Sequence, residues 1–361
     1  MRAADGVDLL MYHWPQARAD APLILLEPGL VETAEMLSGV AMQFHQRGYD
    51  VYVGQVRLAG RGDERSGQGV FNGLEEVLLA DFPAHLREVI RRNPERSVHL
   101  LGHSMGGMEI LATLSNAKLA AELGPHVKAV TLVTAPHELS HVPLLVRAQC
   151  KVLLPLFQLA RRLVGRERAT LEPHHTLVDF LERLGRSRNP LARGAGRKLE
   201  GLFIEFGNFV LNRTLVSMRH TTPEAMRQLW AQKISTLPLD VLIDFARAAA
   251  RGEFLARDGT PLIVPERITV PVQVVRAEKD LLVPVAQQEG LYRRLGSKVK
   301  RLVSLTGMMH VDPVVADAPG SSFLKAVVDF HDAPAEVSGR SPRVTIDPVV
   351  ERCENRLTVS R

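Results

Sequence analysis

Cysteine is nearly missing from this chain. The two present, Cys150 and Cys353, have neither metal-site nor disulfide-framework spacing. That pattern argues against a disulfide-stapled secreted module and fits a reducing compartment, so a cytoplasmic location is expected. Aromatic residues are scarce too, at 5%, while hydrophobic residues reach 45%. The core must therefore be built largely from leucine, valine and alanine. Residues 1–20 lack the charged head, apolar run and small-residue cleavage site of a signal peptide. Leu144 to Val164, the most apolar stretch of the middle region, is broken by Arg147, Lys151, Pro155, Arg161 and Arg162, which excludes a spanning helix there.

Charge of one sign is also lacking over most of the chain. The net charge is +5, but residues 137–258 hold 19 Lys and Arg against 12 Asp and Glu, and the remainder is slightly acidic. The basic excess thus belongs to one region. No nucleic-acid motif accompanies it, so a nucleic-acid partner is not expected. A lipid surface is conceivable for cationic helices of this kind, as is a plain solvated arginine-rich face.

What the chain does have is a rhythm. Residues 5–14 predict a hairpin or edge strands. Leu23–Leu26 is a short apolar run of the buried-strand type, ending in Glu27-Pro28-Gly29-Leu30. A helical pattern over 33–47 stops at Gly48, and Tyr49–Val56 is the next strand, followed by a glycine-rich loop from Arg57 to Gly69. Leu74–Arg92 predicts an amphipathic helix, and Val127–Val133 another strand. Strands alternating with helices in this way predict an α/β chain with a doubly wound, mostly parallel sheet.

From His137 the rhythm changes. Apolar residues recur at helical spacing through Leu144–Leu159, Leu177–Leu184, Leu202–Val216, Pro223–Ile234 and Val241–Ala249, with no convincing strand. Residues 137–262 therefore predict an inserted helical cap. It divides a core made of residues 1–136 and 263–332. The sheet resumes at Val270–Arg276, followed by a helix at Val285–Leu295, a strand at Val299–Leu305 and a helix at Ser321–Phe330. Residues 333–361 are expected to be a disordered tail.

Chemistry concentrates in Gly102-His103-Ser104-Met105-Gly106, with an apolar strand before it and a helical pattern after it. A serine on so tight a turn takes a strained backbone, and neighbours with a Cβ would collide with it, hence the flanking glycines. The turn lifts the hydroxyl above the sheet edge. The following helix aims its first amides at charge developing there.

This strand–elbow–helix order resembles the α/β-hydrolase superfamily, and in particular its capped esterase and lipase branches. The similarity covers residues 5–136 and 262–332. The family's chain order of serine, acid, histidine implies Ser104, Asp280 and His310 as catalytic residues. The residues support the same set. A serine needs a base to take its proton, an imidazole is the natural base, and a carboxylate must hold that ring. Of thirteen histidines, His310 follows the last strand on a glycine-containing loop at the carboxyl edge of the sheet. His103 lies inside the elbow, His99 within its strand, and His174-His175 in the cap. Glu278 and Glu138 are the rival acids.

The resemblance further implies an oxyanion hole from the backbone amides of Leu30 and Met105. Relatives often carry His-Gly where this chain has Pro28-Gly29 after Glu27. A salt bridge from Glu27 to Arg57 is one expectation, and Asp63 and Arg65 are expected to be solvated. A serine at the elbow points to acyl transfer, most often to water, with no metal or cofactor required. The implied activity is carboxylic-ester hydrolysis. The Leu-rich cap and Gly48–Gly54, which resembles acid lipases, suggest an apolar or acyl-chain ester. An acyltransferase or thioesterase on the same residues is the alternative, and a non-catalytic binder of a hydrophobic ligand is a third.

Overall fold

The computed structural model describes residues 1–30, 32–55, 57, 73–141, 237–315, 321–334 and 339–340, with single positions and short pieces between 144 and 171. The predicted cap segments at 177–184, 202–216 and 223–234, the His174-His175 pair, Asp63, Arg65 and nearly all of the tail lie outside the described residues.

Strand β1 (Leu10–Trp14), β2 (Leu23–Glu27), helix α1 (Ser38–Gln46) and β3 (Asp50–Gln55) open the fold. Next, α2 (Leu74–Glu76) runs through a π-helical turn at Val77–Asp81 into α3 (Phe82–Arg92). Strand β4 (Val98–His103), α4 (Met105–Ser115), α5 (Ala117–Leu123) and β5 (Val127–Val133) follow. Then come β6 (Thr170–Leu171), β7 (Leu237–Pro238) and α6 (Leu239–Arg251). The chain returns with β8 (Val272–Ala277), α7 (Val285–Arg294), β9 (Lys300–Leu305), α8 (Asp312–Val315), α9 (Ser321–Asp332) and β10 (Gly339–Arg340).

The main sheet has the order β1-β3-β2-β4-β5-β8-β9-β10. Every neighbour pair in it is parallel except β1 with β3. Strand β2 is the reason both faces fill. Leu23 and Leu25 point into one apolar cluster, with Leu78, Phe82 and Leu86 of the α2–α3 run and Met108 and Leu111 of α4. Ile24 and Leu26 point into another, with Leu37, Val40 and Phe44 around α1 and Phe323 and Val327 of α9. A period of two on a fully buried strand needs apolar residues on both sides, which explains the unbroken Leu-Ile-Leu-Leu run.

The order reverses between β2 and β4, because β3 lies on one side of β2 while β4, β5, β8 and β9 extend the other way. A crevice opens at the carboxyl ends of strands at such a switch point. Ser104 follows β4 directly, and Gly29 follows β2.

Three features depart from expectation. Residues Thr170–Leu171 and Leu237–Pro238, in the stretch expected to be all helical, pair antiparallel, too short for a sequence period of two to reveal. Gly339–Arg340 of the expected tail pairs in parallel with β9, which has an open edge on that side. Helix α1 begins at Ser38 rather than 33, the residues before it being turns. Helix α6 contains its predicted span of 241–249 and extends two residues beyond it at each end, and its Val241 and Ala248 join Phe254, Leu262 and Leu74 in the first apolar cluster.

Candidate active site

Ser104 has φ +51 and ψ −114, a conformation that non-glycine residues adopt only under constraint. Two close approaches create the constraint. A Cβ on Gly102 would lie 2.5 Å from the carbonyl carbon and oxygen of Gly106. A Cβ on Gly106 would lie 2.7 Å from the Pro28 carbonyl oxygen and strike the Glu27 carbonyl. The elbow therefore rests directly on the loop that leaves β2. Met105, the first residue of α4, has an amide with no carbonyl partner within its own helix. Leu30 sits on the abutting loop, so both expected oxyanion donors belong to segments in contact.

The Ser104 hydroxyl donates to Nε2 of His310 at 2.9 Å. Nδ1 of His310 in turn donates to Oδ2 of Asp280 at 2.8 Å. The other Asp280 oxygen accepts the amides of Leu282 at 2.8 Å and Val283 at 2.9 Å, which fix the carboxylate's rotation. His310 and Asp280 are buried, while Ser104 keeps partial exposure. The rival acids are committed elsewhere. Glu278 accepts the Gly307 amide at 3.0 Å, and Glu138 pairs with Arg294 at 3.1 Å.

The loops bearing Asp280 and His310 are joined by the backbone. Lys279 N–H donates to Met308 O at 2.8 Å and Glu278 N–H to Leu305 O at 3.0 Å, while within the His310 loop the Asp312 carboxylate accepts the Met309 amide at 2.8 Å. The His310 carbonyl receives the Thr134 hydroxyl at 3.2 Å and a ring N–H of His103 at 3.0 Å. Thr134 holds φ +47, an unusual value for a β-branched residue. His103 faces Glu32 on its other side, and Glu32 also accepts the Gly29 amide. Burial alone would drive the His103 ring toward neutrality. The Glu32 charge and hydrogen bond, with the His310 carbonyl, outweigh it and raise its pKa.

The expected Glu27–Arg57 salt bridge does not form. Glu27 meets Nδ1 of His85 at 3.0 Å, because α3 lays that residue across the end of β2. Arg57 is taken by Asp81, at 2.9 Å from Nε, and by Asp5 at 2.6 Å. Among the described residues, both oxygens of Glu109 on α4 are buried without a hydrogen-bond partner. Burial first, then the nearby Glu27 and Asp81 charges, raise its pKa well above the ordinary range. Sequence reasoning missed Glu32, His85, Glu109 and Thr134. The one available signal was position, since Glu32 and Thr134 both lie just past strands that end at the crevice. Among the described residues, no group of three or more His, Cys, Asp or Glu is placed to hold a metal ion.

A serine, imidazole and carboxylate linked in this way at the switch point of a doubly wound sheet define a familiar class of hydrolytic scaffold. The family model described as the alpha/beta hydrolase fold matches residues 22–307, and the chain belongs to that family. No curated protein matches it significantly in sequence. Solved structures similar to it include a monoacylglycerol lipase of Paleococcus ferrophilus, at 17% identity and TM-score 0.52, covering 91% of this chain and 99% of that one. A thermophilic esterase of Thermogutta terrifontis is 14% identical with TM-score 0.56, covering 92% and 96% respectively. An enol-lactonase of Burkholderia xenovorans is 16% identical with TM-score 0.54, covering 90% and 96%. At these identities the likeness concerns the fold.

Proposed function

We propose that this α/β hydrolase is a serine carboxylic-ester hydrolase. Ser104 attacks the ester carbonyl while His310 takes its proton, and Asp280 orients the ring and stabilises the imidazolium. The amides of Leu30 and Met105 hold the oxyanion of the tetrahedral intermediate. His310 then returns the proton to the departing alkoxide, leaving an acyl-serine. Water, deprotonated by the same ring, releases the carboxylic acid and restores the serine. The hydrogen-bonded chain from Ser104 through His310 to Asp280 carries this reading.

The substrate proposed is an apolar or acyl-chain ester, with residues 137–262 as a cap beside the site. Support comes from Leu281 and Leu282, which follow the acid directly and are 64% and 53% exposed. Exposed apolar side chains on the loop that carries the acid suit an acyl chain better than a charged group. No helix among the described residues is long and apolar enough to cross a membrane.

The test is hydrolysis of p-nitrophenyl esters from acetate to palmitate by the wild type and Ser104→Ala. Turnover lost by about 10⁴-fold or more in the variant, with kcat/KM rising beyond acetate, is the expected result. Undiminished hydrolysis by Ser104→Ala would remove the serine from the mechanism.

A further inference from the structure

We propose that His103 is a positioning residue: a ring carrying a proton on each nitrogen, which ties the loop after β2 to the backbone of His310. The inference rests on the ester-hydrolase reading for its catalytic consequence, though not for the state of the ring.

The geometry fixes the protons. Nε2 of His103 stands 3.0 Å from the His310 carbonyl oxygen, and a carbonyl can only accept, so that nitrogen is protonated. Nδ1 stands 2.9 Å from both oxygens of Glu32. One of those oxygens also accepts the Gly29 amide. Glu32 in its ordinary ionised form at neutral pH has only acceptors to offer, so toward it Nδ1 donates as well. His103 and Glu32 are both buried, so water does not compete for these bonds.

The consequence follows from what the two ends hold. Glu32 anchors Gly29, the residue before Leu30, on one side of the crevice. The other end is the main chain of the residue whose ring reaches Ser104. The His103 and His310 ring centroids are 5.1 Å apart, so the clamp lies directly behind the proton-transfer pair. Thr134 donates to the same carbonyl at 3.2 Å, giving His310 two donors from the ends of adjacent strands β4 and β5. Of these two donors, His103 is the one that also reaches the β2 loop, through Glu32. It therefore sets the spacing between oxyanion donors and base, a distance on which turnover depends far more than ground-state binding does.

Two substitutions divide the ring. His103→Asn places an amide near the Nδ1 position and keeps the Glu32 contact while dropping the His310 donor. His103→Gln reaches the Nε2 position and keeps the His310 donor. Turnover per serine, titrated with a fluorophosphonate, is expected to fall at least 30-fold in His103→Asn with KM within threefold, and His103→Gln is expected to recover most of it. A merely structural role would lower the melting temperature of both variants while leaving turnover per titrated serine within threefold of wild type, and that result would overturn the proposal.

The ring itself is read in Ser104→Ala by nitrogen-15 NMR at neutral pH, where hydrolysis plays no part. Two protonated nitrogens assigned to His103 are expected. One unprotonated nitrogen would refute the clamp even if Ser104 is the nucleophile. Hydrolysis unaffected by Ser104→Ala would instead refute the ester-hydrolase reading and with it the turnover effect.

Discussion

Gly106→Ala is the smallest change that should disable the site without touching a reacting group. The added Cβ would sit 2.6 Å from the Glu27 carbonyl carbon and 2.7 Å from the Pro28 oxygen. Ordinary contact begins near 3.4 Å and the Glu27 carbonyl oxygen lies nearer still, so the loop after β2 must retreat by about 1 Å. The neighbours are backbone, which cannot rotate away as a side chain can. Leu30, next on that loop, moves with it. Losing one oxyanion donor costs about 10²–10³ in turnover, and a misplacement of about 1 Å costs about 10². Turnover on a p-nitrophenyl ester is therefore expected to drop about 100-fold with KM nearly unchanged. Gly107→Ala is the control. Its Cβ would meet the methyl of Ala135 instead, so it should lower the melting temperature more than the turnover of folded enzyme. A Gly106→Ala enzyme that is folded and turns over within threefold of wild type would refute the argument that this contact shapes the hole.

Glu109→Gln should not destabilise the fold at pH 7.5. A carboxyl whose folded pKa lies above its unfolded value contributes stability that is lost as pH rises through that range, and the neutral amide removes the loss. Urea midpoints at pH 5 and pH 7.5 check this: the variant should gain on wild type at the higher pH, and a variant weaker by more than about 1 kcal/mol there would show that the carboxylate has a partner. Acid should act through other rings. Burial lowers His99 to about 3 and His137 to about 4, and it lowers His331 well below the usual histidine value. Their unfolded forms bind protons that the folded forms refuse, so stability is full above about pH 6.5 and falls below it, by up to about 1.4 kcal/mol per pH unit for each ring. Denaturation midpoints unchanged from pH 7.5 to 4.5 would contradict that assignment.

The legible parts of this chain are those where sterics or periodicity leave little choice. The elbow demands glycine at 102 and 106 because backbone occupies the space a Cβ would need. Strand β2 demands apolar residues at consecutive positions because both of its faces are covered. Asp280 and His310 are marked as candidates because each follows a strand at the same edge of the sheet, and the structure brings them within hydrogen-bond reach of one another. Side-chain pairing across elements was not legible in the same way. Glu27 and Arg57 are a plausible pair on charge alone, yet the rotation of α3 presents His85 to Glu27, and the π-helical turn ahead of it delivers Asp81 to Arg57. The role of Glu32 was hidden for a similar reason. Nothing local marks a glutamate whose partners are a glycine amide three residues back and a ring on another strand. Two-residue strands such as Thr170–Leu171 and Gly339–Arg340 carry no period at all.

The central claim is that the Ser104 oxygen is the nucleophile, activated by His310. Peptide mass spectrometry after fluorophosphonate treatment tests it most directly. The account predicts a single phosphonyl adduct on Ser104, absent in Ser104→Ala and formed far more slowly in His310→Ala. An adduct on another residue, or equal labelling of the Ser104→Ala protein, would contradict it.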